Sequence, residues 1–156
     1  MKKILILIAL AITIVGADTI KVSSALSSLN KFAYENPQGK KLVIPSNVRT
    51  VVVSYEKDTG KLVNEYLASK YPPYLGRINA VFIADINEMP SIITKLFALP
   101  KMRKYKHTIY LHNTDKFSKY VPAKDEKITI IKIENQKVKS ISYITTAKEL
   151  RQALEN

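Results

Sequence analysis

Two apolar runs without polar alternation, one within residues 48–55 around Val51, Val52 and Val53 and the other Ala80, Val81, Phe82, Ile83 and Ala84, set the strongest limit on this chain. A strand that faces water on one side alternates, so these runs predict strands covered on both faces, as in a parallel sheet. Between them Leu62, Val63, Tyr66 and Leu67 recur at helical spacing behind Asp58 or Thr59 as N-cap. The connection therefore reads as a right-handed β-α-β crossover. Tyr71-Pro72-Pro73-Tyr74 stops that helix.

The remaining elements follow from turn and cap residues. Residues 32–44 read as two short strands around Pro37 and Gly39, since proline presets φ and glycine accepts positive φ. Met89, Ile92, Ile93, Leu96 and Phe97 have the cleanest helical period in the chain, with Asp85 or Asn87 to cap the helix, Pro90 in its first turn and Pro100 to interrupt it. A strand is expected over residues 107–112. Residues 128–133 and 138–144 form a hairpin in which Asn135 suits the left-handed turn. Thr146 and Glu149 make a capping box for a last helix with Leu150, Ala153 and Leu154 inward. The order is ββ, βαβ, αβ, ββα.

Met1-Lys2-Lys3, the apolar run 4–16 and the small residues Gly16 and Ala17 form the three-part pattern of a secretory leader, cleaved before Asp18. As a helix that run reaches only about 20 Å, short of a hydrocarbon core of about 30 Å. The expectation is a leader over residues 1–17, a lead-in over 18–30 and one domain over 31–156, in the periplasm or secreted. The mature chain is then not an integral membrane protein. The formal charge of +12 falls to +10 without Lys2 and Lys3. Such a field favours anionic partners: phospholipid, polyanionic envelope material or an acidic protein face. Export argues against nucleic acid. The alternative is that scattered lysines only decorate a soluble surface.

With these motifs in order, the chain resembles the thioredoxin-like superfamily, and within it the exported peroxiredoxin-like and cytochrome-maturation-type thiol proteins. The resemblance covers residues 32–154: the opening hairpin, the first central strand at residues 51–55, a short strand ending in Asp115, and the closing hairpin and helix. It implies an α/β fold with a central mixed sheet flanked by helices and an N-terminal β-hairpin. In that family paired cysteines open the helix after the first central strand, where its dipole lowers the thiol pKa. Here those degenerate redox-site positions hold Asp58, Thr59, Gly60, Lys61, Leu62 and Val63, and the chain has no cysteine. The family also sets a cis-proline just before the strand matching residues 128–133. This chain has Asp125-Glu126-Lys127 there, with Pro122 too early. Thiol–disulfide exchange is excluded; the scaffold is what carries over.

No other constellation points to a cofactor or a metal. His107 and His112, five positions apart on one strand, would point to opposite faces. The four glycines are isolated, so no loop can wrap a phosphate with successive amides. Asp85, Glu88 and Asp58 fall near the strand ends where α/β folds place ligands, though helix capping explains Asp85 and Asp58 equally well. Lys101, Arg103, Lys104, Tyr105 and Lys106 concentrate positive charge around a ring and form the candidate partner contact, or else a solvated turn. The expected function is a non-catalytic binding or accessory module of the bacterial envelope that contacts an acidic partner. The alternatives are a non-redox enzyme using Asp58, Asp85 or His112 at the C-terminal edge of the sheet, and a peripheral binder of anionic membrane.

Overall fold

Val51, Val52 and Val53 sit at the centre of the molecule, each at most 1% exposed, because their strand has neighbours on both sides and a layer on each face. In this computed structural model, which describes residues 19–114 and 117–156, the strands are β1 (Tyr34–Glu35), β2 (Lys41–Leu42), β3 (Thr50–Ser54), β4 (Ala80–Asp85), β5 (Tyr110–His112), β6 (Ile128–Glu134) and β7 (Lys137–Ile144). They form one sheet in the order β2-β1-β5-β4-β3-β6-β7. β3, β4 and β5 are parallel, with Val52 opposite Phe82 and Asp85 opposite His112. β1 and β6 pair antiparallel to the outer members of that trio. This is a mixed α/β sheet of thioredoxin-like form, with the expected N-terminal strand pair at one edge. The leader and Asp115 lie outside the described residues.

The helices are α1 (Lys57–Ala68), α2 (Tyr74–Arg77), α3 (Ser91–Ile93), α4 (Leu99–Met102), α5 (Phe117–Tyr120) and α6 (Ala147–Glu155), with a π-helical turn, Thr94–Ala98, joining α3 to α4. α1, α2, α4 and α6 cover one face, where Val63, Leu67 and Leu150 pack on Val52, Phe82 and Ile130. The other face carries Phe117 and Val121 together with Ile20, Leu26 and Leu29 from the stretch read as a lead-in. That stretch forms a 3-10 helix, Leu26–Lys31, and pairs with the closing hairpin through Ser23 N to Val138 O at 2.8 Å and Val138 N to Ser24 O at 2.8 Å. Ile20, Leu26 and Leu29 are therefore core residues. Leu26 and Leu29 make a single i, i+3 pair on one short helix and Ile20 lies outside it, too brief a pattern to show as a period in the sequence.

Several local expectations change. The N-cap of α1 is Glu56, with Thr59 at N3, rather than Asp58 or Thr59 as the cap. The strand expected over 107–112 starts at Tyr110, because the chain bends at Lys106 and His107. The helix expected to bury Ile92, Ile93, Leu96 and Phe97 instead exposes all four. Nor does Pro100 interrupt it: the helix continues to Met102 with Pro100 in the first turn of α4. The physical reason is the π turn, in which Leu99 N–H bonds Thr94 O five residues back. An extra residue in the turn shifts the register, so Thr94, Leu99 and Met102 are turned toward the molecule. At the closing hairpin Asn135 and Gln136 have φ of 51° and 59°, the paired positive values that a two-residue turn requires. Thr146 caps α6 as expected, accepting from Glu149 N–H at 3.1 Å.

Candidate functional site

The C-terminal edge of the parallel strands is where a thioredoxin-like protein would hold its thiols, and here a side-chain hydrogen bond spans part of it. α1 opens directly behind β3, placing Asp58, Thr59 and Gly60 in its first turn and Lys61 and Val63 in the next. Glu56 N–H donates to Thr59 Oγ1 at 3.3 Å, and the Thr59 hydroxyl donates back to Glu56 O at 3.0 Å. The Glu56 carboxylate reaches across to accept Glu126 N–H at 2.8 Å. Glu126, with φ of 59°, stands just ahead of β6. A carboxylate–amide hydrogen bond thus joins the two places where the resemblance implies thiols and a cis-proline. Among the described residues the cis peptide is Pro72–Pro73, at the other end of α1.

Of the groups offered for non-redox catalysis at this edge, His112 and Asp85 are engaged within the fold. His112 is 2% exposed, with Nδ1 donating to Ala33 O at 2.8 Å and Nε2 at 2.6 Å from Thr114 Oγ1. Phe117 lies against its ring at 4.7 Å between centroids. Asp85 accepts Asn87 N–H in a local turn at 3.2 Å, and burial holds its carboxyl above the usual range, against that hydrogen bond and the nearby His112. Tyr55, whose hydroxyl donates to Val121 O at 2.8 Å, has its pKa raised by burial and then by Asp85. Asp58 is exposed and borders a shallow depression with Lys61, Glu65 and Tyr66. No group of three metal-binding side chains occurs among the described residues.

The opposite, N-terminal edge of the strands is open. A cavity of about 530 Å3 lies between the segment after α1 and the segment leading into β5, with Lys70, Tyr71 and Tyr74 on one wall and Lys104, Tyr105 and Lys106 on the other. His107 also lines it, bonding Asn64 Oδ1 through Nε2 at 2.8 Å and stacking on Tyr105 at 4.9 Å. Burial pulls the His107 pKa down to about 4, so the ring is uncharged at neutral pH. Lys70 is held over Tyr66 and Tyr74, 4.9 and 5.4 Å from the ring centroids, and pairs with Glu155 at 3.6 Å. Among the described residues Lys104 and Lys106 are in no ion pair.

The five residues of the candidate contact therefore divide. Lys104, Tyr105 and Lys106 wall the cavity, Lys101 stays on α4, and Arg103 turns away so that Nε donates to Pro37 O at 2.9 Å. Sequence patterns did not point to Lys70, Tyr71 or Tyr74 as the facing wall. Two of the three stand in the Tyr-Pro-Pro-Tyr stretch, which reads in sequence as a helix stop; that Tyr71 is 85% exposed emerges only on folding. Chemically, exposed ammonium groups beside aromatic rings suit an anionic group carried on an apolar or aromatic body.

These features define a cysteine-free chain of thioredoxin-like fold with a carboxylate–amide bond across the C-terminal edge of its parallel strands and a cavity at the N-terminal edge. Among solved structures the chain is similar to a hypothetical protein from Sinorhizobium meliloti 1021, at 13% identity and a TM-score of 0.55 over 88% of this chain and 84% of the other. It is also similar to peroxiredoxin Q from Xanthomonas campestris, at 11% identity and a TM-score of 0.53 over 88% and 97%. StoA from Bacillus subtilis aligns at 12% identity and a TM-score of 0.50 over 78% and 94%. These likenesses show the fold. No family model and no curated protein matches the chain. With no cysteine in the sequence, thiol–disulfide exchange has no nucleophile.

Proposed function

We propose that this chain is an exported, cysteine-free member of the peroxiredoxin-like and cytochrome-maturation-type branch, acting as a non-catalytic binding or accessory module of the bacterial envelope. Its partner is an acidic protein whose carboxylates meet Lys104 and Lys106 while its apolar groups lie on Tyr71 and Tyr105. The observation that carries this reading is the cavity: the densest positive charge in the sequence forms a wall of it, and its lysines at positions 104 and 106 are left without carboxylate partners among the described residues. Exposed charges of this kind contribute mainly to encounter rate and selectivity, with the rings supplying the buried contact.

The test is a pull-down from envelope extract with a photo-crosslinking residue at position 71, at low and high salt. A salt-sensitive adduct with an acidic protein that disappears in the double variant Lys104→Glu/Lys106→Glu is expected. The same adducts with and without the charge reversal would remove the proposal. Export is checked separately, by fractionation and N-terminal sequencing, with Asp18 expected as the first residue of the mature chain.

A further inference from the structure

The first turns of the helix over residues 91–102 bury a single residue, the hydroxyl-bearing Thr94, and leave Ile92, Ile93, Leu96 and Phe97 exposed by 64%, 42%, 61% and 66%. One exposed leucine is ordinary on a soluble protein, but four adjacent large apolar side chains make a patch that marks an interaction surface. These turns pack chiefly on neighbouring turns of their own helix. Ile92, Ile93, Leu96 and Phe97 line neither recess described above, so the patch stands as an exposed helical ridge. A protein partner would have to offer a matching groove, whereas a fluid bilayer closes around any apolar ridge.

Charge narrows the choice further. Residues 89–114 contain Lys95, Lys101, Arg103, Lys104 and Lys106 and no aspartate or glutamate. Lys95 lies within the apolar stretch and Lys101 one turn beyond it, both exposed and in no ion pair among the described residues. A second copy of this chain would bring the same cations against each other on a molecule of formal charge +12. An anionic lipid surface supplies both an apolar interior and counter-charges at its rim, the setting in which amphipathic helices with lysine flanks lie in the interface plane. We propose that this ridge seats on an anionic bilayer, with Ile92, Leu96 and Phe97 entering the acyl boundary and Lys95 and Lys101 meeting lipid phosphates. This surface is separate from the cavity proposed to bind a protein.

The chain contains no tryptophan, so Phe97→Trp in the full-length protein gives a reporter at one position. With vesicles of equal parts phosphatidylglycerol and phosphatidylcholine its emission should shift to the blue and become quenchable by brominated acyl chains, and added salt should reverse both. Pure phosphatidylcholine vesicles should leave it unchanged. In that background Ile92→Gln/Leu96→Gln, which alters no charge, should weaken partitioning by about tenfold or more. The same pair in the otherwise native chain should leave crosslinking at position 71 intact, so that failure here is separable from failure of the cavity reading. Leu96→Trp, with Ile92→Gln as its paired change, serves if the first reporter alters the circular dichroism spectrum. An unshifted reporter on protein that co-sediments with the anionic vesicles would overturn the proposal, because attachment then lies elsewhere. So would an equal shift on neutral vesicles, or a concentration-dependent shift without lipid, which would mean that a second copy covers the ridge.

Discussion

His107 and Asp85 sit at opposite edges of the sheet, and burial shifts both in the direction that disfavours charge. Their effects on stability have opposite signs. For His107 the folded value is about 4 against an ordinary 6.5, so between those limits the unfolded chain binds the proton and the folded chain does not. Stability must then fall as pH is lowered through this window and level off below it. For Asp85 the folded carboxyl keeps its proton to higher pH than the unfolded one, so its contribution worsens as pH rises through the carboxylate range. Thermal unfolding followed by circular dichroism across this range should show His107→Gln with a flatter decline on acidification than the parent. Asp85→Asn preserves an oxygen for Asn87 N–H and should raise the melting midpoint at neutral pH. An unchanged pH profile in the first variant, or a lower neutral midpoint in the second, would contradict the burial seen here.

At the scale of elements, what can be read in sequence depends on whether its cause is local. The strands at Val51 to Val53 and Ala80 to Ala84 were legible because burial on both faces removes polar alternation, and the closing hairpin because Asn135 accepts positive φ. Glu56 was missed as the cap of α1 because glutamate is a weak N-cap by local chemistry; its carboxylate is held by Glu126, distant in sequence. The wall of Lys70, Tyr71 and Tyr74 was likewise invisible until folding set it opposite Lys104 and Lys106. The helix at residues 91–102 was half legible: a helix was expected and is found from Ser91, but its inward face was wrong because the π turn breaks the regular period and favours Thr94 and Leu99 over Ile92 and Leu96. That reversal is measurable. Ile92→Ser and Leu96→Ser should each change stability by no more than about 0.5 kcal/mol in urea unfolding. Leu67→Ala on α1, by contrast, should cost about 2–5 kcal/mol.

For the whole molecule, the sheet has an apolar layer on each face, and the same strands supply both. Val51 and Val53 pack with Phe117 and Leu29, while Val52, between them, packs with Leu150 and Val63. Neither layer can be lost alone, because removing one face of β3 strips water-excluding contacts from a strand whose hydrogen bonds anchor β4 and β6. Cysteine plays no part, so stability rests on this shared core and should not respond to reductant. The two ends of the sheet can then diverge without uncoupling: the C-terminal edge is spanned in part by the hydrogen bond between Glu56 and Glu126, and the N-terminal edge stays open around Lys104 and Lys106. Phe117→Ala on one face should cost about 3–5 kcal/mol and Leu150→Ala on the other about 2–5 kcal/mol. In each variant far-UV ellipticity and near-UV tyrosine signals should move together as one transition. If Phe117→Ala instead split them, with the helical face unfolding at the parental midpoint, the layers would be separate units and the shared strands would not couple them.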